Sequence, residues 1–299
     1  MANGIDLSLL PAPQVIEALS FEDILADLKA DFVARHPAAA DIVDLESEPV
    51  VKLLEVVAYR ETLLRARLND EARALLLAYS TGADLDHLGA TYYQETRLVV
   101  TPADPIALPP VLEVLERDED FRQRLALKPE SYSVAGPSDA FKFHALSADG
   151  NIKSASVTSP VPGTTTVYVL SRIGSGVPDA PLLATVAAAL NAETVRPLSE
   201  EVLVAAATLV NYAIDVSLTV YPGPAGEAAL AAAQAALAKI AADSHTLDRD
   251  VTLSAITAAA QQPGVKRVLV NSPVAEVVCD IGEAPWCTGI AVAIAGVEE

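Results

Sequence analysis

Ser47–Gly89, SEPVVKLLEVVAYRETLLRARLNDEARALLLAYSTGADLDHLG, is the stretch on which the reading of this 299-residue chain turns. It predicts one long helix, a glycine stop and a short second helix. Ser47 stands where an N-cap belongs, with Glu48 and Pro49 in the first turn, where a missing N–H costs nothing. Val50, Leu53, Leu54, Val57, Leu64, Leu68, Leu75 and Tyr79 recur at helical spacing, and Gly82 supplies a left-handed stop. A helix of roughly 30 residues would be about 50 Å long. Helices average about 11–12 residues, and a compact domain seldom needs such a rod. Something else is expected to pack along it.

The stripe is interrupted. Arg60 and Glu61 break it between Val57 and Leu64, and Glu71 breaks it between Leu68 and Leu75. A strict coiled-coil seam keeps such sites apolar. Two readings stay open at this point: an amphipathic helix packed on its own domain, or a helix in a bundle with other chains, where charged gaps set register. On the second reading the partner interface comprises Leu53, Leu54, Val57, Arg60, Glu61, Leu64, Leu68, Leu75 and Tyr79.

Outward from this rod, a proline-bounded arm leads to a first helix at Phe21–His36, with Ile24, Leu25, Leu28 and Phe32 at helical spacing and Pro37 as its stop. Residues 1–100 thus form a helical N-terminal region. Residues 101–150 are a linker and helical connector. Thr101–Pro110, with four prolines, reads as extended, and Leu112–Leu127 reads as a helix whose acidic run Asp118-Glu119-Asp120 suits the N-terminal dipole. From Ile152 the texture changes to β-branched runs. Residues 151–211 predict a first α+β module: a hairpin of Ile152–Thr158 and Thr164–Leu170, a helix at Pro181–Asn191 and a strand at Glu201–Ala207. Residues 212–299 predict a second module: a strand at Tyr212–Tyr221, helices at Glu227–Ala242 and Leu253–Gln261, then strands at Val265–Val270 and Ile290–Ile294. The fold class is α+β, a helical region followed by two small mixed α/β modules, with an internal duplication as one way to have built them.

Hydrophobic residues make up 52% of the chain, enough for real cores, while aromatics are only 5%. The net charge of −20 and pI near 4.5 argue against nucleic acid, which requires a basic stripe, and against anionic membranes. The dense arginines from Arg60 to Arg73 are interleaved with acids and read as a salt-bridged helix face. MANGIDLSLLPAPQ lacks the basic start and apolar core of a signal peptide. Val202–Ile214, an uncharged and β-branched stretch, is too short to span a bilayer and reads as a buried strand. Two cysteines, Cys279 and Cys287, make no disulfide framework, so synthesis in a reducing cytoplasm is expected.

No catalytic constellation emerges. His36, His87, His144 and His245 form no metal-type pair. His36 and His87 are explained as groups near helix C-termini. The loop Leu170–Gly176 resembles a dinucleotide turn, but Asp179 stands where the third glycine belongs and would repel a pyrophosphate. Cys287, beside Trp286, sits in an apolar context where thiols act as small core residues. No cofactor, metal or enzymatic activity is expected.

Four blocks carry a resemblance. LLEVVAYRETLLRARLNDEARALLLAYSTGADLDHLGA resembles the N-terminal hallmark of the baseplate J-like proteins of contractile phage tails. Glu119–Arg124 followed by SVAGPSDAFKFHALSADGNIKSASVTSP is similar to a second block, YAIDVSLTVYP from Tyr212 to a third, and RDVTLSAITAAAQQPGVKRVLVNSP with CTGIAVAI to a fourth. They occur in family order over nearly the whole chain. One departure is visible: ATYYQETR follows Gly89 where the family pattern leads one to expect a glycine-containing turn. The resemblance implies a structural wedge component of a phage or tail-like particle, tailocins and other contractile injection systems included, located in the tail baseplate. It implies a ring around the central tube and spike that relays the trigger for sheath contraction. The implied partners are other copies of the chain, a smaller wedge partner of the I type, and the sheath, spike or hub and tail-fibre attachment proteins. An assembly factor that leaves before the particle is finished shares all these features, and an enzyme such as a cell-wall hydrolase would need an acid–base pair gathered in a cleft.

Overall fold

A computed structural model gives the architecture and describes residues 11, 13, 15–133, 136–197, 199–223 and 226–298. Most of the N-terminal arm lies outside the described residues. The fold is α+β, with two compact units at residues 4–96 and from 97 onward.

The N-terminal unit is helical. Helix α1 (Phe21–Arg35) is capped by the Ser20 hydroxyl, which accepts from the Asp23 N–H at 3.2 Å, and its covered face carries Ile24, Leu25, Leu28 and Phe32 as the spacing predicts. It packs on α2 (Pro49–Ala74). At 26 residues α2 is about 39 Å long, shorter than the sequence suggests. Its N-cap is Glu48, not Ser47, with Pro49 in the first turn. Its end comes before Leu75, because Leu76, Leu77, Ala78, Tyr79 and Ser80 are all at least half-buried. A one-sided helix cannot cover five consecutive residues. The chain therefore turns, with Tyr79 N donating to Leu76 O at 2.9 Å and Ser80 N to the same oxygen at 2.8 Å. Gly82, at φ +53°, does not stop the long helix but opens α3 (Gly82–Leu88).

Beyond α3, Gly89–Tyr93 widens into a π-helical turn. Gln94, at φ 56°, closes it in the left-handed region, its N–H returning to Gly89 O. The turn expected from a glycine is thus made by a glutamine.

The remainder begins with a two-stranded ribbon, β1 (Val99–Thr101) against β2 (Val114–Leu115). The proline-rich segment between them is an excursion rather than an extended linker. Asp104 and Val111 exchange two backbone hydrogen bonds at 2.9 Å, and the Asp104 carboxylate caps the N–H groups of Ile106 and Ala107. Residues 112–117 are consequently extended, and helix α4 covers only Asp118–Leu127. Helix α5 (Ser138–Ala148) leads into the first sheet.

That sheet runs β3 (Ile152–Val161), β4 (Thr164–Ser171), β5 (Glu201–Ala206), antiparallel then parallel, with α6 (Ala180–Leu190) as the crossover. Phe141, Ala145, Leu182, Val186 and Leu190 pack over Ile152, Val167, Val169 and Val202. The second sheet has order β7 (Val265–Ser272), β6 (Thr208–Val220), β8 (Glu283–Val297). Along β6, Tyr212, Ile214, Val216, Leu218 and Val220 alternate inward, under Ala233 and Leu237 of α7 (Gly226–Ser244) and Ile256 of α8 (Leu253–Ala260). Both β6 and β8 are longer than their apolar runs, and the uncharged stretch Val202–Ile214 is not one strand but crosses from β5 into β6. Each sheet has a central strand with one parallel and one antiparallel neighbour. Connectivity differs, β–β–α–β in the first and β–α–α–β–β in the second, so a simple tandem duplication does not describe them.

Candidate assembly surface

Helix α2 presents a covered line and, away from it, an exposed apolar stripe. Val51, Ala58 and Asn69 are its buried residues. At 100° per residue the exposed Leu53, Val57, Leu64 and Leu68 point away from that line, each more than two-fifths exposed. Val56 and Leu63, also exposed, flank them. Leu54 and Glu61 are half-buried at the boundary. Leu75, 73% exposed, is the C-cap, and Tyr79 lies half-buried in the turn beyond it. Seven of the nine residues predicted from the stripe thus lie on one helix, and the other two follow its end.

Charges on α2 are mostly paired along the helix. Arg65 donates to the Glu61 carboxylate at 2.6 and 3.0 Å, Arg67 meets Glu71 at 2.8 Å, and Arg73 meets Asp70 at 3.1 Å. Arg60 is exposed and has no ion pair among the described residues. Sequence spacing does not single out Asn69. Its Oδ1 accepts from Glu17 N at 3.0 Å and its Nδ2 donates to Glu17 O at 2.9 Å, so the side chain pins the segment before α1 to α2. The signal was a polar residue one turn after Arg65 on the buried line.

The acidic run at the start of α4 does more than meet the helix dipole. Asp118 accepts from Arg97 at 2.6 Å, and Asp120 holds both Arg117 and Arg172 at 3.0 Å. Arg124, 1% exposed, grips buried Glu116 with Nη2 at 2.8 Å and Nε at 3.2 Å. The guanidinium groups of Arg97 and Arg124 both sit 5.2 Å from the Phe121 ring centre. The Glu119–Arg124 block is therefore a structural node joining the β1–β2 ribbon to α4.

A second node joins the two sheets. Leu170, Ala207, Leu247 and Ala284 form a small apolar cluster. Asp248, at φ 60°, accepts from Ser156 Oγ with one carboxylate oxygen and from Gly282 N at 2.8 Å with the other. Gly282, at φ +85°, lies under Tyr168, where any Cβ would come within 2.7 Å of the ring. His245 is buried, with Nδ1 2.8 Å from Pro285 O and its ring edge-on to Trp286. Burial, ahead of the approach of Lys153, holds its pKa below the ordinary histidine value.

Beside this node lies an open cleft of about 560 Å³, lined among others by Lys153, Arg172, His245, Trp286 and Cys287. Of its lining groups, His245 is held to the main chain through Nδ1, and Arg172 is paired with Asp120. Burial pushes the Cys279 thiol up to about 11, with neighbouring carboxylates adding to the shift, so it behaves as a core residue. The Leu170–Gly176 loop is the polar turn expected. Ser171 N donates to Gly176 O at 2.7 Å, and Asp179 is the N-cap of α6, accepting from Leu182 N at 3.0 Å. His36 caps α1, and His87 lies in the last turn of α3. No group of three or more His, Cys, Asp or Glu side chains suited to a metal ion occurs among the described residues. Among them, no helix is long and apolar enough to cross a membrane.

Three family models match this chain in order: the baseplate J-like N-terminal domain over residues 46–104, the baseplate J-like central domain over 133–206 and the baseplate J-like protein C-terminal domain over 212–293. The chain is also similar to "Baseplate protein J" of Escherichia phage P2, at 46% identity over 300 residues, 99% of each chain.

Proposed function

The chain belongs to the baseplate J-like family, and we propose that it is a structural component of the baseplate of a contractile tail, present in the finished particle. Similarity to a phage baseplate protein over essentially its whole length supports that role and a location in the virion tail. In the finer reading it is a wedge subunit. The helical region bundles with neighbouring subunits, including a second copy and a smaller I-type partner, and the two sheet modules take part in the ring around tube and spike. Sheath and tail-fibre attachment proteins bind that ring. The trigger passes through interfaces with two packings, with no bond chemistry.

The observation that carries the wedge reading is the exposed apolar stripe of α2. Leu53, Val57, Leu64 and Leu68 find no cover among the described residues, although the opposite face already serves the chain's own packing. An exposed apolar stripe on a helix whose other face is already packed marks a protein–protein contact surface. The net charge of −20 is consistent with protein partners rather than nucleic acid or anionic lipid.

The test is co-purification of the wedge from cells co-expressing the baseplate genes. Leu64→Asp with Leu68→Asp places two charges in the proposed bundle but none in the subunit's own core. Wedge recovery is expected to fall at least tenfold, with circular dichroism and thermal unfolding of the purified chain unchanged. Intact wedges from the double variant would overturn the assignment of this face.

A further inference from the structure

We propose that the free edge of β8 is a dimer interface, at which a second copy of this chain adds its own β8 antiparallel about a two-fold axis through Val292. This surface is separate from the α2 face.

Strand β8 is an edge strand, hydrogen-bonded to β6 on one side and to no strand on the other among the described residues. From Thr288 to Val297 it runs roughly 30 Å. An exposed edge presents unpaired N–H and C=O groups, which only another extended backbone satisfies in series. Proteins blunt such edges with lysine, proline or brevity, and the other edges here are blunted so. The β7 edge carries Lys266 and Arg267, β3 carries Lys153 and Pro160, and β5 is six residues long with Glu201. Between Thr288 and Val297, β8 has neither a charged side chain nor a proline. Beyond its end, Glu298 is held by Lys266 at 3.5 Å and Arg267 at 3.4 Å, and the charge beside the run, exposed Asp215 on β6 opposite Ala291, lies on the inner neighbour rather than on the free edge.

The occupant is read from the edge itself. Ile290-Ala291-Val292-Ala293-Ile294 reads the same in both directions. It is also the regular part of the strand: Ile290 to Ile294 pair one-for-one with Ile214 to Leu218, and the register shifts only outside that run. Antiparallel pairing about Val292 sets Ile290 opposite Ile294 and Ala291 opposite Ala293. Within this run every cross-strand pair is then matched in size. A self-complementary patch is what an isologous two-fold contact requires. Ile290, Val292 and Ile294 are half-buried against the α7 side, so the copy's isoleucines would complete their cover, while exposed Ala291 and Ala293 leave the other face unobstructed. The result is one continuous six-stranded sheet. Because each copy carries −20, association should tighten as salt is added, the reverse of an ion-paired interface.

The experiment uses the purified full chain in sedimentation velocity across a concentration series. A dimer is expected, strengthened by salt. Ala291→Lys with Ala293→Lys should give monomer with unchanged thermal unfolding. Ala291→Lys with Ala293→Asp should restore the dimer, because each lysine then faces the partner's aspartate. As an independent register test, Ala291→Cys mixed with Ala293→Cys should form a disulfide on oxidation, and neither variant should do so alone. A monomeric parent chain, or a dimer indifferent to the double lysine and giving no mixed disulfide, would overturn the proposal. Carrying the cross-link test into Leu64→Asp with Leu68→Asp separates the two surfaces: the mixed disulfide should persist there, and its loss would assign the dimer to α2.

Discussion

At the scale of single residues, two assignments were not announced by any short-range pattern. His245 had no local partner to suggest a role, and Pro285 and Trp286, forty residues on, supply its environment. Since burial holds its pKa below the ordinary 6.5, the unfolded chain takes up a proton that the folded chain refuses. Its contribution to stability is complete above about pH 6.5 and is lost as pH falls through the lowered value. An imidazole titration by NMR should give a value below 6.5, and His245→Asn should flatten the acid side of the stability profile. A measured value at or above 6.5 would contradict the burial seen here. Gln94 is the second case. Its left-handed φ of 56° disfavours a residue with a Cβ, yet the π-turn that needs it is set by Gly89–Tyr93, whose geometry no short-range pattern announces.

At the scale of elements, helix existence was legible and helix ends were not. The apolar spacing of α1 and α2 named their faces, but Leu75 and Tyr79 kept that spacing past the point where the chain turns. The arrest comes from tertiary cover of Leu76–Ser80 rather than from Gly82. Gly82 instead holds φ +53°, and a Cβ there would meet nothing within 4 Å. Gly82→Ala therefore tests backbone strain alone. A loss of about 1 kcal/mol is expected, read from the urea midpoint, and an unchanged midpoint would show that the turn relaxes freely. Likewise the apolar and acidic residues of 112–117 suited a helix until Val114 and Leu115 found Val99–Thr101 as a strand partner. Local preference yields to pairing that sequence distance conceals.

At the scale of the whole molecule, composition restricted the partner classes and the blocks in family order led to the baseplate J-like family. Whether the subunit stays in the particle is measurable directly. Quantitative peptide mass spectrometry on gradient-purified, uncontracted particles, scaled to the central spike protein, should recover it at a multiple of six per particle. Expression in the lysate with absence from the particle would instead identify an assembly factor that departs. The sequence by itself determined the α+β class, the long helix with its apolar stripe, the acidic surface and the order of the modules. These follow from periodicity and composition, which are local or additive properties of the chain. Only the tertiary structure decided that α2 spends its Val51–Ala58–Asn69 line on its own unit and leaves the Leu53–Leu68 line bare, and that β8 is a free edge beside β6. Burial and strand order are relations between segments far apart in the chain, and no window of sequence contains both members of such a pair.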